Sequence, residues 1–257
     1  MDAGFLEIIL LVILIPIVVI ALLFVVIGAF RISACSDLPK VMYDIDFDSI
    51  NTGDILGVGY THPFGWFVKA WSGSTWSHTG IAWRDPDDGQ LYVLEAATYS
   101  KTYQGVMKIP IVNWIRFNRK SHIGISKLRG KTLDPIVLIN AFEKRSKYLK
   151  LEPYNLSWYR LLYKTPYYDQ KRESYTCYEI VITILQDVGV IRKKYTCSSY
   201  FPCDIMEGRI DLSKDYTLDP PRLLNVEHHT KLRQAEDHSK NKAGGCINMI
   251  LSSWSHD

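Results

Sequence analysis

Cys177 lies in the stretch Tyr175-Thr176-Cys177-Tyr178-Glu179-Ile180-Val181, where a hydroxyl residue, a glutamate three places on and an apolar run together mark the start of a helix. Thr176 and Glu179 make a capping-box pattern, Ile180, Ile184, Leu185 and Val188 follow at helical spacing, and Gly189 ends the run. Cys177 is then the first helical residue. Backbone N–H groups without intrahelical acceptors, and the positive end of the helix dipole, favour a thiolate there over a thiol. A thiolate attacks carbonyl carbon. The competing reading is a buried structural cysteine, since cysteine is among the most inward-facing residue types.

A nucleophilic thiol works with a base and a group that orients the base. Two stretches, His78-Thr79-Gly80-Ile81-Ala82-Trp83 and Leu91-Tyr92-Val93-Leu94-Glu95-Ala96, alternate as strands do, and the turn chemistry of Asp85-Pro86-Asp87-Asp88-Gly89 separates them. A hairpin in which Arg84 faces Leu91 sets Ala97 opposite His78 and Glu95 opposite Gly80. His78 and Glu95 then share a face as diagonal neighbours, ~7–8 Å apart at Cα. Gly80 leaves room for the imidazole. A register slip of one residue would put the pair on opposite faces. Taken singly, His78 reads as a half-buried strand histidine and Glu95 as an exposed or paired edge carboxylate; it is their joint occurrence with Cys177 that argues for catalysis.

The elements that must hold these residues follow from the rest of the chain. The body opens at Gly53-Asp54-Ile55-Leu56, after a polar, acidic approach segment. Trp66 to Trp76 is aromatic and glycine-rich, a loop or short helix at a rim. Further strands are expected at Val106 to Ile111 and His122 to Leu128. A helix should start at Asp134, with Pro135 in its first turn, and run to about Leu149. A second short helix is expected over Tyr154 to Lys164, then the cysteine helix to Val188. Cys197 to Leu224 contains Pro202, Pro220 and Pro221 and reads as irregular chain over the core. The fold class is α+β, an antiparallel sheet packed against the cysteine helix.

Ile8 to Phe30 is a run of twenty-three uncharged residues, long enough at 1.5 Å per residue to span a hydrocarbon core of ~30 Å. A cleaved signal peptide usually has a basic start and a shorter apolar region; this chain begins Met1-Asp2-Ala3-Gly4 and carries Glu7. Residues 1–31 are therefore expected to be a retained anchor with one transmembrane helix, followed by a linker at 32–50, a catalytic domain at 51–224 and a polar, flexible tail at 225–257. Arg31 and Lys40 follow the span and no basic residue precedes it, which places the body in the cytosol.

The net charge of +3 comes with no basic run, so no nucleic-acid partner is expected. Five cysteines make no disulfide framework. The juxtamembrane Cys35 could equally be acylated or have no role, and Cys197 and Cys203 are close enough in sequence to pair in an oxidising compartment, although a reduced one suits the rest of the reading better. His228, His229 and His238 lack the tight spacing of a structural zinc site, so no metal and no cofactor are expected. Asn155-Leu156-Ser157 is a sequon that bears on topology only if the body is luminal.

Four stretches, Gly53-Asp54-Ile55-Leu56, Trp76-Ser77-His78-Thr79-Gly80-Ile81, Leu94-Glu95-Ala96 and Tyr175-Thr176-Cys177-Tyr178-Glu179-Ile180-Val181, give the chain a resemblance to the permuted papain-like cysteine hydrolases of the NlpC-type superfamily. Within it the chain resembles the YiiX- and YaeF-like group with its poxvirus relatives, lecithin retinol acyltransferase being more distant. Histidine before cysteine reverses papain's order and marks the circular permutation. The resemblance covers roughly Ile50 to Leu224. It implies Cys177 as nucleophile, His78 as base and then acid, Glu95 as orienting residue, and Tyr175, Thr176 and Trp76 in the substrate or oxyanion neighbourhood. Tyr178 departs from the small residue often found after the cysteine.

The function expected is a membrane-anchored thiol hydrolase or acyltransferase: a cysteine amidase, peptidase or esterase cleaving an amide or ester through a thioester. Its partners would be the bilayer, through residues 8–30, and an acyl-lipid or peptide substrate. The alternative is a non-catalytic, membrane-anchored binding module on the same fold, which seven tryptophans and sixteen tyrosines would suit as a recognition surface.

Overall fold

Strands form where the chain alternates two sets of apolar residues, and both sets are buried. The computed structural model describes residues 12–19, 22, 42–44, 46–72, 74–99, 104–146 and 175–225. Its strands are β1 (Met42–Asp44), β2 (Ile55–Gly59), β3 (His78–Arg84), β4 (Leu91–Thr98), β5 (Gln104–Pro110), β6 (His122–Ser126), β7 (Leu128–Gly130), β8 (Tyr216–Leu218) and β9 (Arg222–Asn225). Seven of them form one sheet in the order β1-β9-β6-β2-β3-β4-β5, and β7 pairs with β8 apart from it. Neighbours from β9 to β5 run antiparallel, and β1 joins the edge parallel to β9.

Among the described residues of the body, the α-helices are α1 (Pro63–Ser72), α2 (Ile111–Asn118), α3 (Pro135–Ser146), α4 (Cys177–Asp187) and α5 (Pro202–Met206). The period of two in the strands splits the core into two layers. Ile55, Ile81, Trp83, Leu94 and Ala96 bury against α3, α4 and α5, through Leu138, Ile180, Ile184 and Ile205. Leu56, Val58, Ala82 and Val93 bury on the other side against Trp114 and Ile115 of α2. Arg145 of α3 grips Asp187 of α4 through two hydrogen bonds of 2.7 and 2.9 Å, fixing how those helices lie together.

Several elements differ from the sequence reading. α2 is unforeseen: Pro110 ends β5 and precedes a helix whose buried residues, Ile111, Trp114, Ile115 and Asn118, recur at three- and four-residue intervals. Of the loop or short helix expected from Trp66, residues 66–72 take the helix, which starts earlier, at Pro63. The proline-bearing stretch after Cys197 is ordered structure: Pro202 starts α5, where its missing N–H costs nothing, and β9 joins the main sheet. Part of the expected linker is strand β1. No disulfide joins Cys197 to Cys203.

Of the expected membrane span, 12–19 and 22 are helical, with Val12 65% and Ile13 57% exposed. Among the described residues no helix is long and apolar enough to cross a membrane. The remainder of that span, the helix expected at Tyr154 to Lys164, Asn155, Cys35 and the tail beyond Asn225 lie outside the described residues.

Candidate active site

The turn Asp85–Gln90 closes the β3–β4 hairpin, with Gly89 at φ +69 where a side chain would be strained. Arg84 faces Leu91 and Ile81 faces Leu94, the register expected from the turn. Continued along the hairpin, it sets Gly80 against Glu95. A Cβ at Gly80 would come within 2.6 Å of Val93 Cγ1 and 3.4 Å of Glu95 Cβ, so this crowded face admits only hydrogen there. His78 and Glu95 share that face. His78 Nε2 lies 2.6 Å from Glu95 Oε2, with both side chains buried.

The helix that carries the thiol begins as its cap predicts. Thr176 is extended, with φ −79 and ψ 170, and Glu179 Oε2 accepts from both its backbone N–H and its hydroxyl at 3.0 Å. Gly189, at φ +78, ends the helix. The apolar residues of α4 lie on the sheet face opposite His78, yet Cys177, at the helix tip, reaches the end of the sheet where β3 starts and β4 finishes. There its thiol and the His78 imidazole are hydrogen-bond partners. With Nε2 committed to Glu95, Nδ1 is the ring nitrogen left for sulfur.

The electrostatics suit an ion pair. His78 is held well above its ordinary range. Burial is the largest single influence and opposes the charged form, but negative potential from Tyr60 and Cys177 and hydrogen bonds with Cys177 and Glu95 outweigh it. Burial also pushes up the phenol of Tyr60, whose ring lies 5.5 Å from that of His78. Tyr99 is raised well above its usual range, by burial first and then by the charges of Glu95 and Tyr60.

The site opens into a cavity of about 700 Å³ whose walls include Cys177, Thr176, His78, Ala96 and Ala97. Its aromatic side is Tyr60, Tyr99 and Phe117; Lys120 and His62 are the basic side chains on its wall. Burial and the charge of Lys69 lower His62. Among the described residues no three His, Cys, Asp or Glu side chains converge to hold a metal ion.

The other expected neighbours are placed differently. Trp76 is only 2% exposed and sits in the core, its ring against Gly124, where a Cβ would come within 2.2 Å of it. Tyr175 is buried in the α4-side core. Thr176 alone of the three lines the cavity. Asp54, from the opening motif, is a buried pin that accepts from the backbone of Asn51 and Leu128 at 2.9 Å.

Trp114, Tyr60, Tyr99 and Asn118 were not foreseen. Trp114 Nε1–H donates to Glu95 Oε2 at 2.7 Å, and Asn118 Nδ2 donates to the Tyr99 hydroxyl at 3.0 Å. Reading α2 as a helix would have put Trp114 and Asn118 on its buried side, the one signal the sequence holds for them.

No family model matches the chain, and no curated protein matches it. Among solved structures, the chain is similar to the metalloprotein YiiX from Escherichia coli O157:H7, at 20% identity, covering 66% of this chain and 89% of that one, with a TM-score of 0.40. The site stands on its own geometry.

Proposed function

We propose that the protein is a thiol hydrolase or acyltransferase acting on an amide or ester through a Cys177 thioester. The observation that carries this reading is the meeting of a helix-tip thiol and an imidazole at the wall of one cavity, with a buried carboxylate behind the imidazole, His78 Nε2 lying 2.6 Å from Glu95 Oε2. We further propose a circularly permuted papain-like arrangement, in which the base precedes the nucleophile in the chain.

In the first half-reaction the Cys177 thiolate attacks the acyl carbon and a C–S bond forms as the carbonyl electrons move to oxygen. The Cys177 backbone N–H, at the helix N-terminus, is the expected donor to that oxyanion. The oxyanion collapses, the C–O or C–N bond breaks, and the His78 imidazolium gives its proton to the departing alcohol or amine. Neutral His78 then takes a proton from water or another acceptor, which attacks the thioester and releases sulfur as thiolate. Glu95 holds the ring and offsets its charge.

An uncharged apolar run over 8–30 supports a bilayer anchor, with the body on the cytosolic side and an acyl-lipid or peptide as substrate. Absence of a glycan on Asn155 in cells is expected for that topology; its presence would reverse it. For the chemistry, an electrophilic thiol probe should label Cys177, and His78→Ala should cut the rate by about 10²-fold or more. Equal labelling of both proteins would sink the mechanism and favour a binding module.

A further inference from the structure

We propose that Trp114 is a positioning residue for the His78–Cys177 pair, acting through Glu95: its indole N–H and the His78 ring converge on one carboxylate oxygen and so fix the rotation of the carboxylate against the imidazole. The inference rests on Cys177 being the nucleophile.

Trp114 is fully buried and comes from α2, on the far side of β4 from the cysteine helix. Its Nε1 is 2.7 Å from Glu95 Oε2, and His78 Nε2 is 2.6 Å from the same atom. Oε1 is buried with no hydrogen-bond partner among the described residues. A carboxylate has about four acceptor sites over two oxygens, yet both donors crowd onto one. The carboxyl torsion is broad and roughly two-fold when unrestrained. Two donors approaching from different elements leave one rotation that serves both.

Glu95 is thereby locked, and it locks the His78 ring with Nδ1 toward sulfur. The brace is itself held: Asn118 Nδ2 donates to the Trp114 carbonyl at 2.9 Å and to the Tyr99 hydroxyl at 3.0 Å, tying the end of α2 to the chain after β4. The indole has a second consequence. When His78 gives its proton to the leaving group, the buried Glu95 carboxylate loses its countercharge. The Trp114 N–H is a donor that remains, beside the Tyr99 hydroxyl, and an uncompensated buried carboxylate is costly.

The test separates the N–H from the ring. Benzothienylalanine at position 114 keeps the bicyclic shape and removes the donor; Trp114→Phe is the second variant. In the full chain, alkylation of Cys177 by iodoacetamide is followed by peptide mass spectrometry at about pH 6 and about pH 9. An ordinary thiol ionises near ~8.5, so the acidic rate reports the positioned pair and the alkaline rate reports access. The isostere should lower the acidic rate roughly tenfold, in line with loss of a hydrogen bond to a charged group, and leave the alkaline rate within about twofold. Wild-type rates at both pH values overturn the proposal. An equal fall at both also overturns it, because that marks lost packing. If wild-type alkylation at about pH 6 is no faster than that of His78→Ala, the catalytic reading itself fails and the positioning role with it.

Discussion

Two cysteines lie in the first turn of a helix, and their surroundings are opposite. Cys177 opens α4 and Cys203 follows Pro202 in α5; both are buried, at 3% and 1% exposure. Each helix has an acid at its third position whose carboxylate accepts from the backbone N–H before the helix: Glu179 from Thr176 at 3.0 Å and Asp204 from Phe201 at 2.9 Å. Cys203, however, has its sulfur 4.0 Å from the Ser72 carbonyl oxygen and the Arg209 guanidinium beside it, with no imidazole. Burial, then the charge of Asp204, pushes its thiol up to about 12 despite Arg209 nearby. Cys177 instead has His78 beside it and a cavity in front. Under the proposed function, what sets the reactive thiol apart is a base and an opening to solvent, since the helix N-terminus is common to both.

The sharpest way to break this comparison is to remove each sulfur. Cys177→Ala should lower turnover of a model acyl ester by about 10⁴-fold or more, as loss of a covalent nucleophile does. Cys203→Ala should leave turnover within about twofold, since no reacting group touches that sulfur. Peptide mapping after alkylation of the folded protein should find Cys177 modified and Cys203 intact. Modification of both at one rate would mean that burial and helix position, which they share, decide reactivity after all.

The next effect is on pH. His78 is raised above 6.5, so the fold stabilises its protonated form. That contribution is fully present below the ordinary imidazole range and is lost as pH rises through the raised folded value. Because imidazolium is the acid for the leaving group in the proposed mechanism, kcat/KM should persist above the ordinary imidazole range and then fall on the alkaline side. Glu95→Gln removes the anionic partner and should bring that limb down toward the ordinary range, with a lower maximum. An unchanged limb would show that Glu95 does not support the imidazolium. No such limb should depend on any residue around Cys203.

The contrast also explains what was legible in the sequence. The α4 cap and the β3–β4 turn are local signals written within a few residues, so the thiol, the base, the carboxylate and the hairpin register all follow from short-range chemistry. Trp114 reaches Glu95 across nineteen positions, through a helix that the sequence reading did not anticipate after Pro110. No local pattern marks that contact. Pro202, Pro220 and Pro221 read as breakers, whereas the first starts a helix and the others precede strand β9. Trp76 looked like a site residue because of its neighbours in sequence, yet Gly124 on β6 receives its ring in the core. Proximity along the chain placed what hydrogen bonds locally and misplaced what packs at a distance.

The smallest effect sharpens the comparison most narrowly, because it alters the feature the two helices share. Glu179→Ala and Asp204→Ala each remove the acceptor that holds the residue before the helix, and each should cost about 1 kcal/mol, or roughly 2–4 °C in Tm for a domain of this size. Their consequences for reactivity should differ. In α4 the lost contacts also include the Thr176 hydroxyl, and Thr176 adjoins Cys177 on the cavity wall, so the alkylation rate of Cys177 at about pH 6 should fall severalfold with Glu179→Ala. With Asp204→Ala it should not change. If both variants lose equal stability and neither slows Cys177, the cap serves only to start the helix, and the alignment of sulfur with His78 depends on core packing instead.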